Sequence, residues 1–271
     1  MVCTIGCPKP FLLPLILFTE KPTLHLLRVT YTGDFDPVLN ILSVLRENNI
    51  GFSIAMLSSS TNASEGQLII CVDLEKSKIK DVNNLLEELR KIKEVKEVDI
   101  CKTEYPNLIL NTLIKPMISR EERAIINHAR SVATTLDYLY QRFPVGGKAL
   151  IYYAGFRAGI KLADVAKEIT AITEASKIFE IALYALQALG YGIFRVEEFS
   201  EVEGKLRVTV KVDELIECEA FKGKKKNSQS QLVRGMIAGI ASRITNKRIT
   251  CKEVKCVAKG DPYCQFIVEG T

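Results

Sequence analysis

Apolar positions along the chain recur with two different spacings, and the switches between them mark the elements. Residues 23–33, TLHLLRVTYTG, are β-branched and partly alternating, which predicts a strand. Between Asp34 and Asn49, the residues Val38, Leu39, Ile41, Leu42 and Leu45 fall on one helical face. Asp34 or Asp36 is placed to cap that helix, and Pro37 suits its first turn. Residues 52–59 and 67–74 read as strands around a Ser/Thr/Asn/Gly turn. The helical spacing returns over 79–93, and 95–101 reads as a fourth strand. The order βαββαβ defines a ferredoxin-like unit over residues 21–103.

Pro106 and Pro116 mark residues 104–117 as a linker. Residues 118–142 read as a long helix opened by Ser119, with Glu121 and Glu122 in its first turn. Pro144 to Gly147 breaks it. Two more helices follow over 148–167 and 173–189, ended by Gly190 and Gly192. Residues 191–198 and 205–212 predict a hairpin around EVEGK, followed by the basic loop KGKKKNSQS. A helix over 230–245 carries Gly235, Ala238, Gly239 and Ala241 on one face. Strands over 248–257 and 263–269 close the chain around KGDP. Residues 118–271 are therefore a second unit of helices plus antiparallel sheet, and the fold class is α+β.

Composition narrows the function. The 271 residues are 47% hydrophobic and 25% charged, as in a soluble globular protein of two cores. A net charge of +5, without a basic stripe interleaved with aromatics, predicts no direct nucleic-acid binding. Lys222, Lys224, Lys225 and Lys226 read as a solvated loop. The only histidines are His25 and His128, too few for a His-rich metal site or a Ser-His-Asp triad. Of these, His128 reads as a surface or packing residue. The apolar run 11–18 is too short to span a bilayer and is interrupted by Pro14. Residues 1–20 are read as an extension or a buried strand. Eight cysteines without a secretory signal suit a reducing cytoplasm better than a disulfide scaffold.

The chemistry concentrates in CKEVKCVAKGDPYCQF, residues 251–266. Folding about the Lys259–Pro262 turn brings Cys256 near Cys264, and Glu253 adds a carboxylate; all three are acceptable zinc ligands. Glu253 and Cys256 are three apart and face opposite sides of a regular strand, so a bulge or a strand end is required. Other readings of the thiols are small buried hydrophobes or a cross-strand disulfide.

This segment, the GMIAGI helix before it and the upstream ECEA (217–220) resemble the 4-vinyl-reductase domain. The resemblance spans roughly residues 118–270. It implies an apolar pocket between helices and sheet that binds a hydrophobic or aromatic small molecule or a lipid. It also implies a sensor or regulatory role, with a lipid-binding scaffolding subunit as the alternative. In zinc-binding members, three ligands match Glu253, Cys256 and Cys264. The fourth, a Cys at the start of the Gly-containing helix, falls on Ser230, and Cys218 offers a replacement thiol. Candidate ligand contacts are Tyr184, Tyr191, Phe194 and Phe199, where a helix gives way to the hairpin. Alternatively, these four simply fill the core.

The N-terminal unit resembles an ACT domain, which implies amino-acid binding near TGDFDPVLNIL, although Pro37 stands where a Gly is usual. Both resemblances imply a homodimer. An enzymatic reading finds no support: GYG at 190–192 precedes a strand, and no G-x-G-x-x-G follows one.

Overall fold

The computed structural model describes residues 16–18, 23–59, 65–101, 108–113, 125–170 and 172–271. Two compact units divide between Ile125 and Ile126.

The N-terminal unit contains β1 (Ile16–Phe18), β2 (Leu24–Thr32), α1 (Asp36–Glu47), β3 (Gly51–Ser59), β4 (Glu65–Asp73), α2 (Val82–Arg90), β5 (Val95–Ile100) and β6 (Leu108–Leu110). Its main sheet has the order β3-β4-β2-β5, all antiparallel, which is the ferredoxin-like arrangement. One sheet face carries Leu27, Val29, Ile70 and Val72 against Ile41 and Leu45 of α1 and Leu85 and Leu89 of α2. The opposite face carries Leu26, Ile69 and Cys71, packed with Ile109 of β6. The expected linker thus contains a strand, which pairs with β1. The expected cap of α1 is also corrected: Phe35 occupies the N-cap and no side chain bonds there. Asp81 does cap α2, accepting from the Asn83 N–H at 2.9 Å.

The C-terminal unit contains α3 (Ala129–Arg142), α4 (Gly146–Thr170), α5 (Ala175–Ala188), β7 (Ile193–Val202), β8 (Lys205–Asp213), α6 (Gln231–Thr245), β9 (Ile249–Lys255) and β10 (Cys264–Gly270). The helix expected from residue 118 begins at Ala129, after the exposed His128. Its expected cap, Ser119 with Glu121 and Glu122, lies outside the described residues, as does most of the 1–20 extension. ECEA is not a strand; Glu219–Phe221 form a single 3-10 turn. The sheet order is β7-β8-β10-β9, again antiparallel. The β7–β8 turn is Glu203-Gly204, both at positive φ, as a two-residue hairpin loop needs.

Two helices of this unit meet main chain to main chain. A Cβ at Gly155 or Gly159 of α4 would lie 2.1 Å from the carbonyl oxygen of Leu232 or Met236. A Cβ at Gly235 or Gly239 of α6 would lie 2.1 Å from that of Tyr152 or Phe156. Only glycine permits this approach, which seats the start of α6 at a fixed place beside the sheet.

Candidate metal centre

β9 and β10 pair with Gln265 opposite Lys255 and Phe266 opposite Glu253, so Val254 is an extra residue in the ladder. The required bulge is therefore present. It turns Glu253 to the face of the buried Phe266, and continuing the register by one residue sets Cys256 opposite Cys264. Asp261 Oδ2 accepts from the Cys256 N–H at 2.7 Å and closes the turn. The Val257 N–H donates to Cys264 Sγ at 3.3 Å.

The fourth member arrives from Cys218, just before the 3-10 turn. Its Sγ lies 3.5 Å from Cys256 Sγ and 3.0 Å from Ser230 Oγ. One ligand atom from each of Cys218, Glu253, Cys256 and Cys264 falls within 4.8 Å of all the others. The three cysteines are fully buried. Ser230 Oγ donates to Glu253 Oε1 at 2.7 Å and so orients the carboxylate from outside the set.

A tetrahedral zinc ion with bonds of about 2.3 Å to sulfur spaces its ligands roughly 3.8 Å apart. The donor set fits that in identity and in spacing. Its electrostatics agree. Burial pushes the Glu253 carboxyl up to about 8, and the groups that donate to it, Ser230 Oγ and the Ser230 N–H, are not cationic. Hydrogen bonds from Cys218 and Cys264 hold the Cys256 thiol well below its ordinary range, so one thiolate is favoured.

A supporting carboxylate was not foreseen from sequence. Glu217, 2% exposed, accepts from the Leu232 and Val233 N–H groups of α6 at 3.0 and 2.8 Å, capping that helix across the fold. Tyr140 Oη of α3 donates to its Oε1 at 3.0 Å. Burial pushes Glu217 up to about 7. Tyr140 lies 77 positions away in sequence, so no local pattern announces it.

The four aromatic candidates do not share one environment. Phe194 is a core residue, Phe199 packs edge-on against Phe179 with ring centroids 5.8 Å apart, and Tyr191 rests on the same core. Tyr184 is exposed on α5. An apolar recess lies elsewhere, walled by Leu139, Phe143, Gly146, Gly147, Leu150 and Ile151. The basic loop is only partly solvated: Lys225 pairs with Asp137 at 2.5 Å.

Comparison with known proteins bears on this unit first. Residues 208–270 match the family model of the 4-vinyl-reductase domain, so the C-terminal unit carries a domain of that type. All four candidate ligands lie inside that match. No curated protein sequence matches the chain. Among solved structures, the phenol-responsive sensory domain of the transcription activator PoxR, in complex with phenol, aligns at a TM-score of 0.50 and 17% identity. The alignment covers 55% of this chain and 78% of that one, and shows a shared fold. A trafficking protein particle complex subunit 3 from Naegleria fowleri, covalently bound to palmitic acid, aligns at 0.39 and 18%, covering 53% and 95%. The ACT domain of a GTP pyrophosphokinase from Chlorobium tepidum aligns at 0.24 and 17%, covering 28% and 95%. Among the described residues no helix is long and apolar enough to cross a membrane.

Proposed function

We propose that this protein is a cytoplasmic ligand-binding sensor or regulator, not an enzyme. Its C-terminal unit takes up a hydrophobic or aromatic small molecule or a lipid, and Cys218, Glu253, Cys256 and Cys264 hold a structural zinc ion. The observation that carries the reading is the fold of that unit, a 4-vinyl-reductase domain sharing its architecture with a phenol-responsive sensory domain. The zinc assignment is supported by four convergent donors, the number of a closed structural site. When bound, the ion supplies charge and a crosslink between the 3-10 turn and the β9–β10 hairpin. Cys218 takes the place left by Ser230, which positions Glu253 instead. The active form is a homodimer, and output passes to a partner protein.

Native mass spectrometry of the full chain tests this. One zinc per protomer is expected, together with an apolar molecule that co-purifies or binds on addition of phenol. Cys218→Ser removes the zinc. An unmutated protein free of zinc overturns the metal assignment, and failure to retain or take up any apolar molecule overturns the sensor. A permanently held long-chain acyl group overturns it in favour of a scaffolding subunit.

A further inference from the structure

Helix α3 has two differently employed faces. Leu139 and Phe143, one turn apart, wall a half-open recess of about 280 Å³ together with Gly146, Gly147, Leu150 and Ile151 of the α3–α4 junction. None of the six has a polar side chain. A Cβ at Gly147 would lie 2.8 Å from the Leu139 carbonyl oxygen, so the junction is tight there. A Cβ at Gly146 would meet nothing within 4 Å. The recess is thus the space of an absent side chain. Its volume sits just under the roughly 300 Å³ at which ligand pockets begin, enough for one ring or a short chain. A peptide main chain entering it would find no hydrogen-bond partners among these side chains, a cost that an uncharged apolar molecule does not incur.

The other face of α3 is tied to the thiol cluster. Tyr140 Oη donates to Glu217, the neighbour of Cys218. Asp137 Oδ1 accepts from Lys225 Nζ. The loop carrying Lys225 is in turn bonded to the residues after Cys256: Gly223 N–H donates to Val257 O at 3.0 Å and Lys225 N–H to Ala258 O at 2.9 Å. Movement of α3 therefore acts on both sides of the metal clasp.

We propose that the α3–α4 recess binds a compact, uncharged apolar molecule, a single aromatic ring or short hydrocarbon, and that α3 couples its occupancy to the metal clasp. This rests on the ligand-binding reading above and gives it a place away from Tyr184, Tyr191, Phe194 and Phe199. Coupling is reciprocal, so a molecule in the recess slows loss of the metal as much as the metal favours the molecule.

The test uses full-length zinc-loaded protein and fluorobenzene, followed by fluorine NMR. The unmutated chain binds the probe. Gly146→Leu, which fills the recess without a clash, raises its Kd at least tenfold. Leu150→Gln, at a 70% exposed position, does so more weakly and serves if the first variant does not fold. Fluorobenzene slows zinc transfer to a chelator severalfold, and Tyr140→Phe keeps probe binding while reducing that slowing. Equal probe binding by the unmutated chain and both variants overturns the location but leaves the ligand-binding reading standing. No binding by any of them overturns both. A change of oligomeric state in Gly146→Leu, with no probe bound by the unmutated protein, assigns the recess to a side chain of a second copy and overturns the site. Unchanged zinc transfer overturns the coupling.

Discussion

In both units helices cover one face of a four-stranded antiparallel sheet, yet the buried polar groups are distributed very differently. Among the described residues of the N-terminal unit, the buried polar side chains are Thr30 and Ser77, and no carboxylate is buried. The C-terminal unit buries Glu217, Gln229 and Ser230 beside three thiols, with Glu253 at the edge of the same corner. Burying such groups costs free energy unless each is bonded or metal-bound. The first unit is thus held chiefly by apolar contact. The second carries a polar cluster that only a cation and long-range hydrogen bonds reconcile with its surroundings.

Removing the metal separates the units most strongly. Stripping zinc with a chelator lowers the stability of the C-terminal unit by several kcal/mol, below the roughly 10 kcal/mol of a zinc-finger peptide. The N-terminal unit keeps its transition. Calorimetry reads both, and a common shift would break the distinction. Leu27→Ala, in the fully buried centre of β2, costs the N-terminal unit about 3 kcal/mol and leaves zinc content unchanged. Denaturant unfolding with metal analysis measures this. Gly239→Ala drives a methyl group against the Phe156 carbonyl and costs about 2 kcal/mol in the C-terminal unit. A loss of zinc in that variant would show that the α4–α6 crossing also sets the metal geometry. Lys96→Ala breaks an exposed pair with Glu65 and changes N-terminal stability by less than about 1 kcal/mol.

The same contrast governs what was legible in the sequence. Strands and helices of the N-terminal unit follow from the spacing of residues such as Val29, Ile41 and Leu45, because each element meets an apolar core on a regular face. The start of α3 was misplaced because Ile125 and Ile126 look like part of a helical stripe. They are 82% and 49% exposed in a segment without helix. Glu253, Cys256 and Cys264 were legible because one hairpin brings them together. Cys218 was recognisable only as a spare thiol, since its approach depends on a 3-10 turn where a strand was expected. Glu217 was invisible, as its partners are Tyr140 and two backbone N–H groups of a distant helix.

The bulge at Val254 makes the ligand set a matter of parity. Three residues of sequence separate Glu253 from Cys256, but the ladder counts only two, and an even count keeps both on one face. Were Val254 drawn into regular pairing, every residue of β9 before it would turn over, and the carboxylate would leave the thiols without any residue having changed. The donor set is therefore specified by pairing as well as by composition. Two chains with the same four ligands, one bulged and one evenly paired, would differ by one donor in what they offer a metal.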